Sequence, residues 1–179
     1  MNLKPQDVFI TLKLVALGKQ PWTYAQLASE LHMSASEING GVKRAIRARL
    51  VAPAAGRGGN PRPIIMALEE FLIHGVKYAF PPNRGTMTLG VATSYAGPPM
   101  RDLVQAHEDL PPIWPDPRGA TKGIAFEPLY KSVSKAAMAD PKLYELLSLV
   151  DTIRDERARD RNLAARELSS RLKEWAGSL

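Results

Sequence analysis

Apolar positions three and four residues apart open the chain: Val8, Phe9, Leu12, Val15 and Ala16 share one side of a helix. It starts at Pro5, which the first helical position tolerates, and stops at about Leu17, before Gly18. Thr23 followed by Gln26 is the signature of a capping box and predicts a second, short helix with Tyr24, Leu27, Ala28 and Leu31 inward. The signature repeats at Ser34 and Glu37, after His32 and Met33, and predicts a third helix running to about Leu50. A longer helix followed by two capped helices with a short turn between them has the order of a helix-turn-helix.

At about 100° per residue, the third helix has two chemically different faces. Ile38, Val42, Ala45 and Ile46 lie on one, and Ser36, Asn39, Gly40, Lys43 and Arg47 on the other, with Arg44 at the flank. An apolar face opposed by short polar residues, an amide and cations suits a DNA major groove, where Asn addresses adenine, Arg or Lys guanine, and the rest phosphates. Arg49 points to the apolar side and is expected to snorkel from the last turn. Gly40 and Gly41 each cost about 1 kcal/mol relative to Ala and need a reason. Gly40 sits on the polar face, where the backbone could approach a base edge or phosphate, and Gly41 at the side, where it permits close helix packing. The alternative is a kinked helix without functional meaning.

The stretch Ala-Ala-Gly-Arg-Gly-Gly-Asn-Pro-Arg-Pro (54–63) is a flexible loop carrying Arg57 and Arg62, placed where a basic wing would reach the DNA backbone or minor groove. No returning strand is expected, because Ile64, Ile65, Leu68, Phe71, Leu72, Val76 and Ala79 follow at helical spacing. His74 within them reads as a satisfied, semi-buried histidine rather than a ligand. Residues 81–130 hold nine of the fifteen prolines and five of the thirteen glycines, so regular structure is not expected over most of them. Their apolar content predicts an ordered strap, with Trp114 either at a partner surface or, as is commoner, an anchor. Asp140 with Pro141 then opens a helix with Leu143, Leu146, Leu147, Val150 and Ile153 inward. Beyond it Ala165, Leu168, Leu172 and Trp175 form an apolar seam, expected to join two chains. Arg154, Arg157 and Arg161 align and could grip an acidic partner, although a solvated face with Asp155–Arg159 and Glu167–Arg171 pairs is the favoured reading.

Charge sharpens this picture. The net charge is +6, and residues 1–82, with ten basic and five acidic residues, carry most of it; Lys43 to Arg62 contains six basic residues and no acidic one. An anionic partner is expected there. The chain has no cysteine, which excludes disulfides, thiolate nucleophiles and cysteine metal sites, and His32, His74 and His107 are too dispersed to suggest a metal. The glycines form neither GxxxxGK[ST] nor GxGxxG, and no nucleophile–base pair can be assembled, so no cofactor, metal or catalysis is expected. No apolar run of membrane length and no signal-like apolar stretch is seen, and a cytoplasmic protein is expected.

The N-terminal part resembles winged-helix regulators of the MarR type, through the helix at 5–17, the run Trp22-Thr-Tyr-Ala-Gln-Leu-Ala-Ser-Glu-Leu-His-Met-Ser-Ala-Ser-Glu-Ile, and Lys43-Arg44-Ala-Ile-Arg47 behind it. The whole chain resembles a bacterial regulator group through residues 74–82 and 149–154. The resemblance implies a homodimer on double-stranded DNA with helix 34–49 in the major groove. The expected architecture is therefore mainly α: a winged-helix-like helix-turn-helix module (1–80), a Pro/Gly-rich strap (81–132) and a helical interaction or dimerisation segment (133–179). The expected function is sequence-specific transcriptional regulation, with Ser36, Asn39, Gly40, Lys43, Arg44 and Arg47 on the recognition helix and Arg57 and Arg62 on the backbone. Leu168, Leu172 and Trp175 are the expected oligomer contacts. The alternative is an antitoxin-like module that binds a toxin enzyme through its C-terminal half.

Overall fold

The computed structural model describes residues 1–105, 107–155 and 158–177. Helix α1 (Pro5–Leu17) begins at the expected proline, with the Lys4 N–H donating to the Asp7 carboxylate at 2.8 Å, and ends at Gly18, whose φ of +62° stops the helix. Its burial exceeds that of a one-sided surface helix. Asp7, Thr11 and Lys13 are buried along with Val8, Phe9, Ile10, Leu12, Leu14 and Val15. Buried polar groups need partners, and each has one: Asp7 takes two N–H bonds from Arg44, Thr11 Oγ1 donates to the Asp7 carbonyl, and Lys13 Nζ lies 2.7 Å from both Glu30 and Asp140.

Helices α2 (Tyr24–Leu31) and α3 (Ala35–Arg47) follow as the caps foretold. At Ser34 the box is complete: the Glu37 N–H donates to Ser34 Oγ at 3.1 Å and the Ser34 N–H to Glu37 at 2.9 Å. At Thr23 only half forms, because the Gln26 side chain turns instead to Glu30. Helix α3 ends before the expected Leu50. Arg49 takes a left-handed φ of +62° and is exposed, so it does not snorkel along the helix. The chain turns there into strand β1 (Val51–Ala52), which pairs antiparallel with β2 (Arg62–Pro63). A returning strand thus exists, where none was expected, inside the Pro-containing loop. The Asn60 amide holds that loop by bonding both the N–H and the carbonyl of Trp22.

Gly41 has the packing role expected of it. A Cβ there would strike Ile10 Cδ1 and meet Asp7 Oδ1 at 3.0 Å, so α3 crosses α1 at the closest approach a glycine allows. At Gly40 the nearest obstacle is Arg44 Nη1 at 3.2 Å. Gly41→Ala is therefore expected to lose stability despite its better helix propensity, because overpacking at about 1–3 kcal/mol outweighs a gain of about 1 kcal/mol. Gly40→Ala should hold or gain. Thermal melts of the two variants check the contrast.

The expectation of a mainly α chain built from a winged-helix-like module and an irregular strap is overturned: the fold mixes helices with a three-stranded and a two-stranded sheet. Helix α4 (Ile65–Glu70) passes through a π-turn (Phe71–Gly75) into α5 (Val76–Ala79). Then β3 (Arg84–Ala92), the one-turn helix α6 (Met100–Leu103), β4 (Pro112–Pro115) and β5 (Thr121–Phe126) occupy the segment expected to be irregular. Strand β3 pairs antiparallel with both β4 and β5, which pair parallel with each other, and the sheet closes on itself. Glycine here serves close approach rather than breaking strands. A Cβ at Gly90 would collide with the Trp114 backbone and lie 2.7 Å from Ile113 Cδ1.

Helices α7 (Val133–Ala139), α8 (Pro141–Arg154) and α9 (Arg161–Trp175) complete the chain. The five inward residues expected on α8 are all buried, and Asp140 caps it by accepting from the Leu143 N–H. Trp114 is an anchor: it is 1% exposed and its indole N–H donates to Asp151 at 2.7 Å. The seam on α9 faces inward. Leu168 and Leu172 have no exposure, Trp175 is half-buried against the same core, and Ala164 rather than Ala165 is the fully buried alanine. Leu168 and Leu172 pack this chain's own core, on α8 and α1, and present no surface on which a second copy could sit. Residues of 1–80, 81–132 and 133–179 all contribute to one core. Among the described residues, no helix is long and apolar enough to cross a membrane.

Candidate nucleic-acid interface

Helix α3 is held from beneath. Ile38, Val42 and Ala45 are buried, Ile46 is half-buried, and the Ser34–Glu37 box fixes where the first turn begins. The opposite face is thereby presented outward. Ser36, Asn39, Gly40 and Lys43 line a shallow recess of about 530 Å³ together with Tyr24 and Ala35, and Arg47 is exposed one turn further on. The side chains of Asn39, Lys43 and Arg47 make no hydrogen bond or ion pair with another described residue. Their donors remain free for an external acceptor.

Arg44 is different. Its Nε and Nη2 each donate to the Asp7 carboxylate at 2.8 Å, and Asp7 has no exposure. That fork-to-fork pair raises the Arg44 pKa and neutralises its charge, so Arg44 locks α3 onto α1 rather than reading bases. In the loop between the strands, Arg57 is exposed between Gly56 and Gly58, both at positive φ with open space around them. Arg62 is exposed too, with its guanidinium 3.4–3.5 Å from the carbonyls of Gly18 and Lys19. Of the expected contact residues, the fold thus groups Ser36, Asn39, Gly40, Lys43 and Arg47 on one face, leaves Arg57 and Arg62 on the hairpin, and withdraws Arg44.

A second hold on α3 comes from far along the chain. The Tyr130 hydroxyl donates to Glu37 Oε1 at 2.6 Å, so that bond, with the Ser34 N–H, lowers the Glu37 carboxyl to about 2. The same bond pushes Tyr130 up to about 12. Nothing in the sequence pattern marks this contact, since Glu37 is already accounted for as a cap and Tyr130 lies 93 positions away.

The remaining candidates are placed as follows. His74 is exposed rather than semi-buried. His107 lies 3.2 Å from Asp160 and stacks on Tyr95. Among the described residues, no group of three or more His, Asp or Glu is placed to hold a metal. Arg154 is 4% exposed and donates to the carbonyls of Phe80 and Glu127 and to Asp151, so it belongs to neither a partner grip nor a solvated face. Arg161 donates to the Asp155 carbonyl, and Arg157 lies outside the described residues. Asp155 bonds Arg84 and Ser94, while the Glu167–Arg171 pair forms as expected, at 2.6 Å.

Compared with protein-family models, with curated proteins and with solved structures, the chain matches none.

Proposed function

We propose that this protein is a cytoplasmic, sequence-specific double-stranded-DNA-binding regulator. Helix α3 enters the major groove and the loop between β1 and β2 holds the backbone. One observation carries the proposal: the side chains of Asn39, Lys43 and Arg47 stand unpartnered on the outer face of a helix whose opposite face is buried, beside a recess that Gly40 helps to line. An amide and two cations at that spacing match base-edge acceptors and donors together with flanking phosphates. The α2–turn–α3 pair supplies the rigid mount such reading needs, and the local charge supports it, since the region from Lys43 to Arg62 holds no acidic residue.

Fluorescence anisotropy with duplex DNA, over a salt series, tests it. With roughly four to eight phosphates contacted, log K is expected to fall against log[salt] with a slope of about −4 to −7. On a site selected from a random duplex pool, Asn39→Ala or Arg47→Ala should cost about 1–3 kcal/mol, and much less on unselected DNA. Arg57→Ala should weaken all sequences alike. Gly40→Ala should keep its fold and lose selective binding, because the new methyl group stands where the backbone meets the base edge. A flat salt profile, or equal losses on selected and unselected duplexes for Asn39→Ala and Arg47→Ala, refutes the reading.

A further inference from the structure

A second cationic feature lies beside the turn between α2 and α3. Three separate parts of the chain converge on a recess of about 560 Å³: His32 from that turn, Arg118 from the turn between β4 and β5, and Lys131 and Lys135 from the start of α7, with Ser132 and Ser134 between them. Several other cations are matched to carboxylates. Lys13 sits with Glu30 and Asp140, Arg44 with Asp7, and Arg171 with Glu145 and Glu167. In this recess His32, Lys131 and Lys135 make no ion pair with a described carboxylate, although Glu37 acts on Lys131 at longer range.

The one carboxylate in the lining is already saturated. Asp116 Oδ1 accepts from the Arg118 backbone N–H and Nε, and Oδ2 from Arg118 Nη2 and the Ser134 hydroxyl, at 2.7–3.1 Å. These bonds hold Asp116 well below the usual carboxylate range. They leave three of the five N–H groups of Arg118 free, on a side chain that is 52% exposed. Both serine protons are committed as well, Ser134 to Asp116 and Ser132 to the Leu31 carbonyl at 2.6 Å. What the recess offers a ligand is therefore cationic donors: among the lining residues Arg118, Lys131 and Lys135 against Asp116 leave a surplus of two positive charges, with Glu37 outside the lining acting on Lys131.

We propose that this recess binds the phosphate group of a dianionic or more highly charged ligand. Converging like charges repel, and their closeness is favourable only when an anion lies among them. Guanidinium and ammonium donors together match tetrahedral phosphate oxygens. The backbone holds the cations in place: Ser132 fastens the segment to the last residue of α2 and Tyr130 fastens it to Glu37, so Lys131 stands between two fixed links. The phosphate is either that of a free phosphorylated small molecule or one of a DNA backbone beside α3. The site itself stands whether or not α3 reads bases.

Isothermal titration of the full chain with inorganic pyrophosphate, at constant ionic strength, is the test. The wild type should bind saturably at one site. Lys131→Gln with Lys135→Gln, both exposed side chains, should leave the melting curve intact and weaken binding at least tenfold. Lys122→Gln with Lys142→Gln removes the same charge at exposed sites outside the recess and should change binding less than twofold. Absence of saturable binding, or equal weakening by the two double variants, overturns the proposal. Repeating the titration with saturating duplex DNA assigns the source: loss of pyrophosphate binding points to a backbone phosphate, and retention to a free ligand.

Discussion

Asp151→Ala is expected to remove about 3–5 kcal/mol of folding stability, because it leaves a buried guanidinium without its counter-charge. Asp151 and Arg154 are each about 2% exposed at their side chains and 2.7 Å apart. The carboxylate also accepts from Thr93 Oγ1 at 2.8 Å and from the Trp114 indole at 2.7 Å, while Arg154 donates to the carbonyls of Phe80 and Glu127. The pair thus ties the end of β3, strand β4, the residue after α5 and the residue after β5 to α8. Burial pushes the Asp151 carboxyl up, and Arg154 and the two neutral donors oppose that shift. Urea denaturation measures the loss. The double variant Asp151→Leu with Arg154→Met should be destabilised less than the sum of the single changes Asp151→Leu and Arg154→Met, by about 1–3 kcal/mol, because the second change removes the charge that the first leaves stranded. Additive losses would show that the two groups are not energetically coupled.

The second large effect lies on α9. Leu168→Asp is expected to destabilise the protein by about 4 kcal/mol or more, combining the loss of a fully buried leucine with the desolvation of an acid that has no partner there. Leu172→Asp should behave alike. Had the stripe been an interface between copies, either change would leave a folded chain and shift only its association state. Circular dichroism melts and sedimentation of the same samples separate the outcomes: a folded Leu168→Asp variant with altered association would refute the inward placement. Leu168→Ala, at about 2–5 kcal/mol, gives the graded version.

Helix ends were legible because a cap is a bargain between residues a few positions apart. Pro5 and Gly18 bound α1, Ser34 and Glu37 open α3, and Asp140 opens α8, each within its own turn. The apolar periods of α3 and α8 likewise match the residues that are buried. The segment from Arg84 to Phe126 was not legible. Its strands are stabilised by partners that local spacing does not announce: Gly90 lies across from Thr121 on one side and Pro115 on the other. Locally, Pro and Gly mark loops; here Pro112 and Pro115 lie in β4, and Gly90 and Gly123 sit where other segments of the chain come too close for a Cβ.

The candidate interface divides along the same line. Which residues share the outer face of α3 is a matter of the 3.6-residue period, so Asn39, Gly40, Lys43 and Arg47 could be grouped from the sequence alone. Which of the cations keeps a free charge could not. Arg44 and Arg47 lie within one turn of each other, yet Asp7, 37 positions earlier, takes Arg44 and leaves Arg47 exposed. In the same way Tyr130 finds Glu37 across 93 positions, and His32, Arg118, Lys131 and Lys135 meet at one recess from three parts of the chain. The sequence determined the helix ends and the polar and apolar faces of α3 and α8, because backbone geometry repeats with a local period. Only the tertiary structure decided which charges are cancelled and which converge, because electrostatic pairing depends on distance through space.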